Sequence, residues 1–213
     1  MEIRNYLPKK PLFISFEGGD GSGKTSQIEA FTPWFETYYG PVVATKEPGG
    51  DEVGKKIREL LLDPKLVIHD YAELFLFMAL RDQFLRNIVK PNLSRDISVI
   101  SDRFFDSTMA YQGYGRRLDK RFIESLNLKI VGPTSPNLTY ILDINPEKGL
   151  ENAKKRGTLS RIDTESLNFH RDVNEGFRKI AEDNPCRCVL ISYEEGIENI
   201  QDKIREEFNK RFL

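Results

Sequence analysis

Two cysteines, Cys186 and Cys188, are all that the 213 residues contain. One residue apart, they are too few for a disulfide framework, and they lack the partner ligands of a zinc site. Histidine is as scarce: His69 and His170 stand alone. Neither lies near a nucleophile signature, so a Ser-His-Asp or Cys-His mechanism has nothing to build on. An excess of one charge is also missing, since 32 Lys and Arg face 33 Asp and Glu for a net charge of -1. No global field then favours nucleic acid or an anionic membrane; neither is expected as a partner, and any basic site must be local. No apolar run approaches the length of a membrane span, and Leu12–Phe16, followed at once by Glu17, is too short for a signal h-region. The expectation is a reduced, cytoplasmic protein folded as a single domain over 1–213, able to bury roughly 70% of its unfolded surface.

What the chain does have is the stretch Leu12–Thr25, LFISFEGGDGSGKT, an apolar β-type run that stops at glycines and ends in Lys-Thr. Gly18, Gly23, Lys24 and Thr25 fit the G-x-x-x-x-G-K-[ST] spacing of a phosphate loop. Glycines let successive backbone N–H groups turn inward where side chains would block an approaching phosphate. Lys24 offers a point charge to the outer phosphates and Thr25 a hydroxyl to Mg²⁺. The helix that follows turns its positive end toward the anion. The candidate ATP-binding residues are therefore Gly18, Gly19, Asp20, Gly21, Ser22, Gly23, Lys24 and Thr25.

Further short β-type runs follow at Val42–Thr45, Ile97–Ser101, Leu138–Leu142 and Cys188–Ser192, with helix-like segments between them. One of these, from Tyr71 to Ile88, carries apolar residues at the helical period, and Pro91 is expected to end it. This alternation predicts an α/β fold: a P-loop NTPase-type three-layer sandwich with a parallel sheet of about five strands and helices on both faces. Asp102-Arg103 closes the third strand, in the crevice where open parallel sheets hold ligands.

Taken in order, these segments resemble one family, the thymidylate kinases, over Phe13 to about Ala181. FISFEGGDGSGKTSQ resembles its phosphate loop, KEPGGDEVGKKIRELLL its EPGG segment and LFLFMALRDQF its substrate helix. VISDRFFDSTMAYQGYGR resembles the DR and AYQG segment, PNLTYILDINPEKGL the strand that ends in LD-x-x-P, and RGTLSRIDTESLNFHRDV the basic lid. The resemblance implies phosphorylation of dTMP by ATP with Mg²⁺, in a homodimer with a lid around 154–163. It assigns Phe77 to stack on thymine, Arg81 to the base or the region beside it, and Arg103 to the dTMP phosphate. Thr108, Tyr111 and Gln112 would surround the deoxyribose and base. Asp20 would sit by the sugar hydroxyl and the phosphate-binding arginine, and Asp102 and Glu17 near Mg²⁺. Lys46 stands where the family usually has Arg, which exchanges a bidentate fork for a point charge. Phe104 replaces a Tyr. The residue after Asp20 is Gly21, which carries no side chain to reach a phosphate, so the catalytic cations are expected to be Lys24, Arg103 and the lid bases Arg156 and Arg161.

Two alternatives remain open at this stage. A kinase for another nucleotide or for a deoxynucleoside would need a carboxylate as base, and Glu17 could serve. A regulatory nucleotide switch is the other, although no N-K-x-D guanine-reading segment is present. Stacking of a base on an aromatic ring is worth about 1 to 3 kcal/mol by alanine substitution in nucleic-acid sites. Phe77→Ala is accordingly expected to raise KM for dTMP far more than KM for ATP in steady-state kinetics; an unchanged dTMP KM would make Phe77 a core ring only.

Overall fold

The computed structural model describes residues 9–155, 157, 159–193 and 196–213, the last stretch without the side chains of 196 and 197. Five strands, β1 (Phe13–Gly18), β2 (Val42–Lys46), β3 (Ser98–Asp102), β4 (Leu138–Asp143) and β5 (Cys188–Ser192), form one sheet in the order β2-β3-β1-β4-β5. Every pairing is parallel. Parallel neighbours need crossovers, and helices supply them: α1 (Lys24–Tyr38), α2 (Glu52–Leu62) and α3 (Asp70–Phe84) precede β3. The chain reverses its direction of winding at β1, which lies between β3 and β4. That reversal opens a crevice at the C-terminal ends of β1 and β3, where the phosphate loop and Asp102-Arg103 sit.

β1 is buried along its whole length, as a central strand covered on both faces must be. On one face Ile14, Phe16, Ile100, Tyr140 and Leu142 pack against Ile28, Phe31 and Phe35 of α1 and against Ile200, Ile204 and Phe208 of α9 (Gly196–Phe212). On the other face Phe13 and Val99 meet Phe84, Leu85 and Val89, while Ile141 meets α8 (Leu167–Asp183) through Val173, Phe177 and Ile180. The expected sheet and its two helical layers are what the chain forms.

Two segments depart from the periodic reading. Pro91 does not end the helix begun at Asp70. The chain passes through a π-helical turn, Leu85–Val89, into α4 (Lys90–Leu93). Lys90 N–H reaches back five residues to Leu85 C=O, and the wider turn accommodates a proline that donates nothing. Then α5 (Phe105–Thr108) runs into a second π-helical stretch, Met109–Gly115, where a helical period of 3.6 leaves no mark. The remaining helices, α6 (Lys120–Val131) and α7 (Pro146–Lys155), flank β4, and α7 leads toward the segment expected to form a lid.

Phe208 is fully buried and meets the rings of Phe31, Trp34, Phe35 and Tyr39. Truncating such a ring leaves a cavity, so Phe208→Ala is expected to lower unfolding stability by about 3 to 5 kcal/mol. Urea unfolding followed by circular dichroism measures it, and a loss below about 1 kcal/mol would mean that α9 is not part of this core.

Candidate active site

The phosphate loop begins where β1 ends. Gly18 has φ 134°, and a Cβ there would meet Leu142 C=O at 2.4 Å. Gly21 has φ 71°, and a Cβ would come within 2.0 Å of Gly149 C=O on α7. Close packing against α7 thus excludes any side chain at 21, a physical reason for the glycine beyond reach alone. Lys24 opens α1 and lies buried, its Nζ donating to Gly18 O (3.1 Å), Gly19 O (2.9 Å) and Ser22 Oγ (3.1 Å). Burial, together with the nearby Arg103 guanidinium, pulls the Lys24 ammonium down to about 8. Next to it Thr25 Oγ1 donates to Asp102 Oδ2 at 2.8 Å, so a hydroxyl from α1 and a carboxylate from β3 converge at the mouth of the loop.

Arg103 follows β3 with φ 72°, a conformation that costs a residue with a Cβ about 1–3 kcal/mol. Its surroundings hold it there. Arg103 N–H donates to Phe16 C=O at 2.9 Å, Ser101 Oγ donates to Arg103 C=O at 2.7 Å, and Phe104 N–H donates to Glu17 Oε1 at 2.7 Å. The guanidinium is thereby turned into the crevice. Nη1 donates to Gly18 C=O (3.0 Å) and Ser107 Oγ (3.0 Å), and Nη2 to Asp20 Oδ1 (2.8 Å) and Tyr111 OH (3.0 Å). Tyr111 OH in turn donates to Asp20 Oδ2 at 2.7 Å. Burial alone would raise the Asp20 carboxyl, but Arg103 and Lys24 hold it below its ordinary value. Phe77, on α3, is partly buried against the cluster containing Tyr111, Ile162 and Phe169. Lys46 is exposed at the end of β2, in register with Asp102.

The arrangement has two cationic centres, Lys24 and Arg103, on either side of the loop mouth, with a polar pair at 25 and 102 between strand ends. The thymidylate kinase family model matches residues 16–204. A thymidylate kinase of Carboxydothermus hydrogenoformans is 44% identical over 177 residues, covering 83% of this chain and 87% of the relative. One from Hahella chejuensis is 39% identical over 199 residues, 93% of this chain and 96% of the relative. The crystal structure of thymidylate kinase from Ehrlichia chaffeensis superposes with a TM-score of 0.78 at 33% identity, covering 93% of this chain and 98% of that one.

The chain belongs to the thymidylate kinase family.

Within the frame of that family, the structure brings together Asp20, Lys24, Thr25, Asp102, Arg103 and Tyr111, and gives four further expected residues, Glu17, Arg81, Thr108 and Arg161, protein partners. Glu17, expected near Mg²⁺, is fully buried, with Oε1 taken by Phe104 N–H and Oε2 by Ser107 Oγ at 2.6 Å. It braces the Arg103 turn instead. Arg81, expected at the base, is 1% exposed. It is ion-paired with Glu47 and donates to Asn127 Oδ1 (2.9 Å) and Thr108 Oγ1 (2.8 Å). Thr108 is buried with it. A guanidinium this enclosed must spend its donors on protein acceptors. Arg161, expected over the phosphates, is ion-paired with Glu73 and donates from Nε to Leu61 C=O at 3.2 Å. Arg156 lies outside the described residues. Phe104 is fully buried against Phe13, Phe84 and Phe105, a place for a ring without a hydroxyl.

Three supporting residues gave little sequence signal. Ser107 looks like a capping hydroxyl, and Glu47 like a charge in a turn. Glu73 looks like an ordinary acid in the first turn of α3, where the helix dipole favours one. Only their burial and partners reveal what they do.

Burial and the neighbouring Asp106 carboxylate push the Glu17 carboxyl up to about 8, against its hydrogen bonds. The unfolded chain loses this proton near the ordinary value of 4.5 while the folded protein keeps it, so stability should fall as pH rises from about 5 to 8. Glu17→Gln removes that contribution. Its urea-unfolding stability should therefore decline less between pH 5 and 8 than that of the unsubstituted protein; identical slopes would mean that Glu17 is ionised in the fold.

Proposed function

We propose that this chain transfers the γ-phosphoryl group of ATP to the 5′-phosphate of dTMP, giving ADP and dTDP. What carries the reading is the pairing of a phosphate loop with a second anion site at Arg103, held by Asp20 and Tyr111 within reach of the loop. One centre suits the donor's phosphates, the other the acceptor's. Phe77, beside Tyr111 and Phe169, supplies a ring for the base, and Gln112 a side-chain amide.

Phosphoryl transfer asks for alignment and charge neutralisation more than for covalent chemistry, because negative charge spreads over the transferred group's oxygens. Loop N–H groups and Lys24 hold the donor's outer phosphates. Arg103 fixes the acceptor phosphate, itself the nucleophile and mostly ionised at neutral pH given a second pKa near ~6. No strong general base is required. Thr25 Oγ1 and Asp102 Oδ2 are hard oxygen ligands 2.8 Å apart and fit Mg²⁺, Thr25 directly and Asp102 directly or through water. Mg²⁺ held by these residues would offset the negative charge of the outer phosphates. The lid bases Arg156 and Arg161 add charge from the ATP side on closure, a movement in which Arg161 leaves Glu73.

A deoxynucleoside kinase is disfavoured by one observation. The carboxylate it would use as base, Glu17, is fully buried with both oxygens engaged. The exposed rings of Tyr71 and Phe75 on α3, in contact with that of Phe122 on α6, support a homodimer. No described helix is long and apolar enough to cross a membrane; a cytoplasmic location is part of the same proposal.

The test is ADP release with ATP and Mg²⁺ across a panel of nucleoside monophosphates and thymidine. dTMP is expected to be the best acceptor and thymidine inert. dTMP and dUMP differ by one methyl, worth about 10- to 200-fold in kcat/KM in an apolar pocket. Equal kcat/KM for the two would count against the assigned base pocket, and turnover of thymidine against the whole assignment.

A further inference from the structure

Arg187 stands just before β5, the strand at one edge of the sheet, far along the chain from the phosphate loop. Its backbone is fixed on both sides: Thr139 N–H donates to Arg187 C=O at 2.9 Å, and Arg187 N–H donates to Asn184 C=O at 3.1 Å. From that anchor the guanidinium reaches α5. Nη1 donates to Asp106 Oδ2 (2.6 Å) and Thr139 Oγ1 (2.8 Å), and Nη2 to Asp106 Oδ1 (3.0 Å). The same group covers the Phe105 ring at 4.9 Å from its centroid. A two-pronged grip on a carboxylate that is 3% exposed fixes direction as well as distance.

The segment it grips has little stability of its own. α5 is one turn of four residues with no side-chain cap at its start, and a single helical turn does not persist unaided. Phe105 and Asp106, its first two residues, are the ones Arg187 holds. The last two carry the hydroxyls that meet buried arginines: Ser107 Oγ accepts from Arg103 Nη1 at 3.0 Å, and Thr108 Oγ1 accepts from Arg81 Nη2 at 2.8 Å. Arg103 itself lies two residues before the turn, in a left-handed conformation that only its surroundings maintain. We infer that Arg187 is a positioning residue for the transfer: through Asp106 it sets the place of α5, and through Ser107 that of the Arg103 guanidinium that receives the acceptor phosphate. Lys24 and the loop glycines take their places from β1, α1 and α7 instead, so the donor site is independent of this grip. The inference rests on the proposed role of Arg103 and adds to it a residue at the far edge of the sheet.

The experiment begins with the unsubstituted enzyme. Phosphorylation of dTMP tests the functional reading by itself; if another monophosphate proves the better acceptor, that reading falls and the comparison continues with that substrate, since the inference concerns the phosphate and not the base. Removing Arg187 alone would leave a buried carboxylate unpaired, so the informative variant is the double one, Arg187→Met with Asp106→Leu, which replaces the pair by apolar side chains at little cost in stability. Displacement of a binding group by about 1 Å costs up to about 100-fold, and the folded double variant is expected to lose about tenfold or more in kcat/KM for the acceptor, chiefly through its KM. KM for ATP should stay within about twofold. An unchanged acceptor KM in the folded double variant would overturn the inference, and so would an equal rise in both KM values, the mark of a merely structural role. Should the double variant fail to fold, Arg187→Lys decides: it keeps the charge but loses the fork, and acceptor KM should again rise while KM for ATP holds. Unaltered acceptor KM in Arg187→Lys would then overturn the inference.

Discussion

A buried carboxyl group ties the end of the central strand to the turn that bears the acceptor-binding arginine. Glu17 closes β1 and accepts the Phe104 N–H and the Ser107 hydroxyl, so the chain leaving β3 is held in a bend that Arg103 could not keep unaided. Arg103 then reaches across to Gly18 C=O and Asp20, and the loop on one strand becomes continuous with the cation on the next. Loosening that brace would free two anion sites to move independently, and in-line transfer depends on their spacing. The second brace lies behind the first. Arg187, just before β5, clamps Asp106 through both oxygens at 2.6 and 3.0 Å, which fixes α5 behind Glu17.

The same logic recurs farther from the phosphates. Buried charges here come in clusters of opposite sign: Glu47 with Arg81, which bonds its Oε1 and leaves Oε2 without a partner, and Glu73 with Arg116 and Arg161. Such pairs add little net stability, since desolvation offsets much of their attraction. Their contribution is geometric. Arg81 holds the segment after β2 against α5 through Glu47, Phe104 C=O and Thr108, and Glu73 joins α3, the lid segment and the π-helical stretch 109–115. In that stretch Arg116 N–H bonds five residues back to Tyr111 C=O, and consecutive residues reach different partners: Tyr111 meets Asp20, Gln112 meets Glu73.

Much of this was legible in residues 12–25. An apolar run, glycines at fixed spacing and Lys-Thr determine a strand, an anion-binding loop and a helix start, because few other residues satisfy the close approach of backbone to phosphate. Alternating short β-branched runs and helical periods likewise implied a parallel sheet, since parallel strands need crossovers. The positions of Asp20, Lys24, Thr25, Asp102 and Arg103 followed from local order along the chain, and that of Tyr111 from the family resemblance.

What the sequence alone could not determine was the direction in which a charged side chain points once it is buried. Glu17, Arg81 and Arg161 have residue types suited to ligand chemistry, and the fold turns each toward a protein partner: Phe104 and Ser107, Glu47, and Glu73. Those pairings join residues 34 to 90 positions apart, and no local pattern encodes them. The two π-helical turns escaped for a related reason, because a helical period read from apolar spacing does not register one extra residue per turn. Local chemistry determined which groups could bind phosphate; tertiary packing decided which protein partners each of them holds, because a buried charge must first satisfy its own desolvation.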